Sequence, residues 1–289
     1  MTGIFGLSVG QMKKAKFREN GICVDGTKVT VRHVLKEGEE LVVLIEDKNQ
    51  GSSHLIPIRG EVSVLYEDED VICVHKPAGV VCHPSAGHYA DSMANLMVGY
   101  FLERGEGFTV RLLGRLDKDT SGLLLYAKHA PALTRLEGQR DENALHKTYY
   151  AILSGCPDWS EKTITKPIYT ACDMPLKMAC GEEGMEAITH AEILWKNEEK
   201  KLSLARVTIE TGRTHQIRVH MAFEGFPLVG DLMYGNDDRL PRHALHAESI
   251  SFLRLSDGER VTVKSPFPSD LVGFLLQNGC NCIPPYGLS

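Results

Sequence analysis

The run from Gly21 to Asp47, GICVDGTKVTVRHVLKEGEELVVLIED, alternates apolar and polar residues and is broken at Asp25-Gly26 and Glu37-Gly38. A period of two predicts short strands, and the two glycine pairs predict the turns between them. Just ahead, Val9 to Arg18 reads as a short basic helix. Lys48 to Gly60 is polar, contains glycine and is interrupted by Pro57, the pattern of a linker. Residues 1–60 are therefore expected to form a small helix-plus-hairpin module with its linker, and 61–289 a larger domain with a C-terminal tail. In the larger part, VSVLYED, VICVHK, GLLLYAK, KTYYAIL, EAITHAEILWK, LSLARVTIE, ALHAESISF and RVTVKSPF are strand-like. Met93, Leu96, Met97, Tyr100 and Phe101 recur at helical spacing, which predicts a helix capped by Asp91 and stopped at Gly105. Further helices are expected near Ala130–Arg140 and His215–Glu224. Strands outnumber helices and are irregularly spaced, so the expected class is α+β with a mixed, mostly antiparallel sheet.

Composition narrows the class. With 43% hydrophobic and 24% charged residues, the chain can bury a sizeable core. No stretch approaches the roughly 18 consecutive apolar residues of a membrane span, and the N-terminus lacks the order of a secretory signal. A cytoplasmic, monomeric protein with no membrane partner is expected. Eight scattered cysteines form no C-x-x-C pair, so reduced structural thiols are expected, and no metal; Cys280 and Cys282 make only a weak C-x-C site. The net charge of −6 speaks against a nucleic-acid partner on average, but residues 1–60 carry nine basic against seven acidic side chains. Lys13, Lys14, Lys16 and Arg18 concentrate that excess on the first helix.

Three clusters carry candidate chemistry. Gly114 to Lys128, GRLDKDTSGLLLYAK, sets a polar loop against a buried strand, which suits catalysis; it equally suits a turn in which Asp117 and Thr120 cap backbone amides. Thr211 to Gly235 places Arg213, His215, Arg218 and His220 at the start of a helix, where cations oppose the dipole and call for an anionic partner. His215 and His220 are five residues apart, about 500° around a helix, so they share no face for a metal. In His146 to Gly155, Tyr149 and Tyr150 point to opposite faces of a strand, leaving one ring free to line a cleft.

Together these clusters resemble the RluA family of RNA pseudouridine synthases. Arg115-Leu116-Asp117 and Thr120-Ser121-Gly122 match its signature, Lys147, Tyr149 and Ala151 its K-x-Y-x-A strand, and Gly212 to His220 its G-R-x-H-Q-I-R-x-H segment. KPAGVVCHPS, the EAITH run, GFPLVGDLMYG and LHA agree as well, whereas Gly114 stands where the family often has His and Lys177 where Arg is common. FRENGICVDGTKVTVRHVLKEGEEL resembles the second half of the alpha-L RNA-binding module, here in a shortened form.

The resemblance implies conversion of uridine to pseudouridine in structured RNA, ribosomal RNA favoured over transfer RNA. The product is an isomer, so no cofactor is expected. It assigns the nucleophile to Asp117 and its cation to Arg218, whose guanidinium would grip both carboxylate oxygens. Tyr149 would stack on the uracil, its hydroxyl a candidate to take the proton from the fifth ring carbon. Arg115 would hold RNA opened by base flipping, with Thr120, Lys147, Arg213, His215 and Gln216 as further RNA contacts. The rival reading is a non-catalytic RNA-binding or ribosome-assembly protein.

Overall fold

The computed structural model describes residue 7 and residues 9–44, 52–172 and 176–282. Helix α1 (Val9–Lys16) leads into strands β1 (Ile22–Val24), β2 (Thr27–Lys28) and β3 (Leu41–Val43), an antiparallel sheet in the order β2-β1-β3. Asp25 and Gly26 both have positive φ, the pair of left-handed residues that a tight hairpin turn requires. At Gly21 a side chain would come within 1.9 Å of the Ala15 carbonyl oxygen, so glycine lets helix and strand meet. The alternating stretch TVRHVLK is a loop and not a strand, because its apolar members, among them Val34, face solvent. Lys13, Lys14 and Lys16 are exposed along α1, Arg18 less so.

The described part of the expected linker, residues 52–60, lies on the helix that follows. Asn95 donates from Nδ2 to Ile56 O at 2.8 Å, and Ile58 O approaches Gly99 so closely that a Cβ there would lie 1.9 Å away.

The remaining elements are β4 (Val64–Glu67), β5 (Val71–Lys76), α2 (Met93–Glu103), β6 (Ser121–Ala127), α3 (Ala130–Asp141), β7 (His146–Ser154), β8 (Glu161–Ile164), β9 (Ile168–Thr170), β10 (Met178–Cys180), β11 (Thr189–Asn197), β12 (Leu202–Ile209), α4 (Gln216–Phe223), β13 (Leu245–Leu253), β14 (Arg260–Lys264) and α5 (Ser269–Gln277). Nine of the strands form one sheet in the order β4-β5-β6-β13-β7-β12-β11-β8, with β14 also paired to β13. Only the β13–β6 contact is parallel, so the sheet is mixed and mostly antiparallel. Helix α2 is capped by Ser92, whose side chain accepts from Asn95 N; Asp91, the expected cap, instead bonds His88 at 2.6 Å.

Both faces of the sheet are covered, which explains why Leu123 to Ala127 of the central strand β6 run apolar without alternation. Leu124 and Tyr126 of β6 pack with Met93, Met97 and Phe101 of α2, while Leu123 and Leu125 pack with Ala132 and Leu136 of α3. On β7, Tyr149, Ala151 and Leu153 face the α2 side, where Ile217 and Met221 of α4 also lie. Ile152 and Tyr150 face the opposite side, against Leu271 and Leu275 of α5. Each fully buried side chain of this kind contributes about 1.5–3 kcal/mol, so the sheet is a rigid base for the loops at its edges.

Candidate active site

Three elements meet around a cleft of about 400 Å³: the loop 113–120 before β6, strand β7, and the turn 211–216 leading into α4. The loop is pinned from every side. Leu113 N donates to Leu125 O at 2.8 Å, Leu116 N to Cys82 Sγ at 3.3 Å, and Arg242 reaches Asp119 O at 3.1 Å. Lys76, fully buried, gives its three protons to Pro77 O, Val80 O and Lys118 O at 2.7–2.9 Å. With no carboxylate in contact, burial lowers the Lys76 pKa to about 8.

This rigidity aims Asp117 into the cleft. Its side chain caps no amide; Oδ2 accepts from Arg218 Nη1 at 3.1 Å and lies 3.9 Å from His215 Nε2. The two-point grip expected of Arg218 goes to a different carboxylate. Nε and Nη2 of Arg218 donate to Asp231 Oδ2 and Oδ1 at 2.7 and 2.9 Å, because the fork geometry fits one carboxylate and Asp117 approaches from the side. Burial acts to lower the Arg218 pKa, but Asp231 and Asp117 outweigh it and hold the guanidinium above its usual value. Burial likewise acts to raise the Asp231 pKa and is overcome by Arg218, so this carboxylate titrates below its usual range. One cation thus stands between two carboxylates, Asp231 at 1% side-chain exposure and Asp117 at 21%.

Tyr149 lines the same cleft, buried, with Tyr150 on the far face of the sheet as the strand period requires. Burial and then the Asp117 charge push its hydroxyl pKa up, so the phenol keeps its proton at any working pH. Arg115 crosses the cleft mouth and donates to Thr214 Oγ1 at 2.7 Å, while the half-buried Arg213 donates from Nε to Glu186 O at 2.8 Å.

Three expected RNA contacts prove to be internal supports. Thr120 is buried with its hydroxyl against His243 Nε2 at 2.7 Å. Gln216, also buried, accepts at Oε1 from Arg213 N and Thr211 Oγ1 and donates to Ile188 O and Thr189 Oγ1, tying the turn 211–216 to β11. Lys147 donates to Leu113 O at 2.8 Å and holds the floor of the loop. His220 is fully buried between Thr189 Oγ1 and Lys166 O, both at 2.9 Å, so it faces away from His215. Among the described residues no three His, Cys, Asp or Glu side chains converge as a ligand set, and Cys280 and Cys282 are free thiols 3.5 Å apart. No helix among them is long and apolar enough to cross a membrane.

Asp231, Tyr234 and His243 belong to the site without having been singled out from the sequence. GFPLVGDLMYG contains the first two, but nothing in a linear run says that Asp231 meets a guanidinium on α4.

The sequence matches the profile of the RNA pseudouridylate synthase family over residues 70–223. It is 36% identical over 239 residues to the uncharacterized RNA pseudouridine synthase YhcT of Bacillus subtilis, covering 82% of this chain and 78% of that protein. It is 34% identical over 273 residues to the ribosomal large subunit pseudouridine synthase D of Pseudomonas aeruginosa, covering 89% and 84%. The human RNA Pseudouridylate Synthase Domain Containing 1 superposes with a TM-score of 0.59 at 26% identity, over 78% of this chain and 96% of that one. The cleft therefore belongs to an enzyme, and the chain is a member of the RNA pseudouridine synthase family, in its RluA branch.

Proposed function

We propose that this enzyme forms pseudouridine at uridines of ribosomal RNA, with Asp117 as the nucleophile acting on a nucleotide flipped into the cleft. The observation that carries the reading is the 3.1 Å contact between Arg218 Nη1 and Asp117 Oδ2. It leaves Oδ1, for which no partner is found among the described residues, as the oxygen available for attack. The rigid loop costs the nucleophile little reorganisation, and the guanidinium 3.1 Å away fixes the carboxylate in the cleft. Tyr149 supplies the ring against which the uracil stacks, while its hydroxyl, kept protonated by burial, is not the base that takes the fifth-carbon proton. Arg115, released from Thr214, takes the place of the extruded base. A non-catalytic role is disfavoured because a carboxylate kept only for folding gains nothing from partial exposure beside an already paired guanidinium.

Ribosomal RNA is favoured by relatives such as the large subunit synthase D of Pseudomonas aeruginosa, and α1 with its exposed lysines offers a second contact to the RNA backbone. The test is pseudouridine mapping in total RNA from cells with the gene, without it, and with Asp117→Asn. The deletion should lose specific sites that Asp117→Asn does not restore, although the variant still binds the RNA. Restoration at ordinary turnover would overturn the assignment of the nucleophile.

A further inference from the structure

His215 adopts a left-handed backbone, φ 55 and ψ 18, at the cap of α4. A side chain with a Cβ is rarely found there, and such strain persists only where the surroundings enforce it. Here the Gln216 side chain holds it, through two hydrogen bonds inside the turn, from Thr211 and Arg213, and two to Ile188 and Thr189 where β11 begins. The result sends the imidazole between two groups. Nδ1 lies 2.8 Å from the Tyr234 hydroxyl, and Nε2 points to Asp117 Oδ2 at 3.9 Å, too long for a hydrogen bond but at the edge of the cleft.

Tyr234 decides which nitrogen carries the proton. Its oxygen accepts from Met178 N at 2.9 Å, and donating to His215 Nδ1, 2.8 Å away, is the arrangement that also pairs the phenol's own proton. Burial lowers the His215 pKa, the Asp117 charge notwithstanding, so the ring is neutral at neutral pH. With Nδ1 accepting, Nε2 carries the hydrogen. The Tyr234 ring also lies under Arg218, 5.1 Å from the guanidinium carbon, so one phenol contacts both side chains that approach Asp117 Oδ2.

We propose that His215 is a further catalytic residue, which donates from Nε2 to the 2-oxygen of the flipped uracil, and that Tyr234 is the positioning residue fixing its tautomer. The assignment rests on the reading of Asp117 as nucleophile. Whether the carboxylate attacks the ribose or the base, the electron pair of the breaking bond between ribose and base nitrogen passes to the uracil ring. Part of that charge settles on the 2-oxygen, two bonds from the reacting nitrogen. With Oδ1 at a near-attack distance of about 3–3.5 Å, the base enters beside His215, whose Nε2 stands 3.9 Å from Oδ2 at the cleft edge, so its 2-oxygen can come within reach of that donor. It is a fixed dipole aimed where negative charge develops.

The test has two arms. In 15N-histidine-labelled enzyme, two- and three-bond proton correlations distinguish the ring nitrogens, with the His215 signals identified by their loss in His215→Gln. The proton is expected on Nε2 in the wild type and on a mixture of nitrogens in Tyr234→Phe; a proton on Nδ1 in the wild type overturns the proposal. This arm needs no turnover and can be run on Asp117→Asn, so its failure is separable from failure of the nucleophile assignment. The second arm compares single-turnover rates on a synthetic RNA whose mapped target carries uracil or 2-thiouracil. His215→Ala should be about 10²-fold slower than wild type on uracil, the usual loss of one oxyanion donor. Sulfur is the poorer acceptor, so the wild type should slow on 2-thiouracil by about tenfold while His215→Ala slows no further. Equal slowing of both enzymes on 2-thiouracil would remove the 2-oxygen as the partner.

Discussion

Asp231→Asn tests whether the fold holds Arg218 for the sake of Asp117. Asp231 accepts from Arg218 Nε and Nη2 at 2.7 and 2.9 Å, and from Met233 N at 3.2 Å. Asparagine has one acceptor oxygen. Turned toward Nη2 and Met233 N, it would set its own amide hydrogens against Arg218 Nε, a donor facing a donor in a buried site. One charge-assisted hydrogen bond is worth about 1.5–3 kcal/mol, and breaking a buried pair outright costs about 3–5 kcal/mol. Because one acceptor survives, a loss of about 3 kcal/mol is expected, which a domain of ordinary stability tolerates. The guanidinium remains charged but is no longer held at two points, and displacement by about 1 Å from Asp117 suffices for a hundredfold loss in kcat. Urea unfolding at pH 7 and single-turnover kinetics on the same preparation measure both quantities, with RNA affinity as control. Stability within 0.5 kcal/mol of the wild type, roughly the scatter of a neutral surface change, together with unchanged kcat, would refute the reasoning.

Other consequences follow from the same geometry. Gly122 has φ +119 and a Cβ there would lie 2.1 Å from Ala247 O, so Gly122→Ala should force β6 from β13 and lower stability by about 3 kcal/mol or more, read as a fall in Tm. Burial lowers the pKa of His243 to about 4 and of His246 to about 3 from an ordinary 6.5, so only the unfolded chain takes up their protons as pH falls below 6.5. Each should therefore remove about 2 kcal/mol between pH 7 and 5, and His246→Gln should show a correspondingly shallower decline in urea unfolding. Arg115→Ala should slow pseudouridine formation in structured RNA more than in an unpaired fragment, and equal losses would count against its role in holding opened RNA. Arg213→Ala should weaken binding to all RNAs alike and make the slope of log affinity against log salt shallower by about 0.7–0.9, read by filter binding across a salt series.

How much of this was legible in the sequence depended on whether a residue's partner lay nearby in the chain. Strands β5, β6, β7, β11, β12 and β13 announce themselves through apolar content, and helix α2 through its spacing. Strands β8, β9 and β10 are three or four residues long, too short for a period, and are fixed by pairing. Helix α5 was legible but missed: Leu271, Val272 and Leu275 follow Pro268 at helical spacing and bury against the sheet. The same limit governs the site. That Asp117 and Arg218 would meet followed from the family resemblance, whereas periodicity could not bring together residues 101 positions apart. Polar residues beside a catalytic motif resemble ligands, as Thr120, Lys147 and Gln216 do; burial makes Thr120 and Gln216 supports, since a buried polar group must find its partner within the protein, and the bond to Leu113 O does so for the half-buried Lys147.

The acidic surplus of the chain is reconciled with an RNA substrate by where the charges stand. The cleft is lined by five cations, Arg115, Arg140, Lys147, Arg213 and Arg218, against three carboxylates, Asp117, Asp141 and Glu210. A chain with a net charge of −6 thus presents a locally positive mouth. Within it, Arg218 is withheld from phosphate because Asp231 occupies its fork, and Lys147 because Leu113 O holds its ammonium. The exposed Arg115 and the half-buried Arg213 are the cations proposed to meet the backbone of the substrate. Were Arg218 free, an RNA phosphate would compete with Asp117 for it and the proposed nucleophile would lose its cation as substrate arrived. Burying Asp231 beside Arg218 opposes that exchange, so the same contact that stabilises the fold keeps affinity for RNA from being gained at the expense of the carboxylate proposed to react.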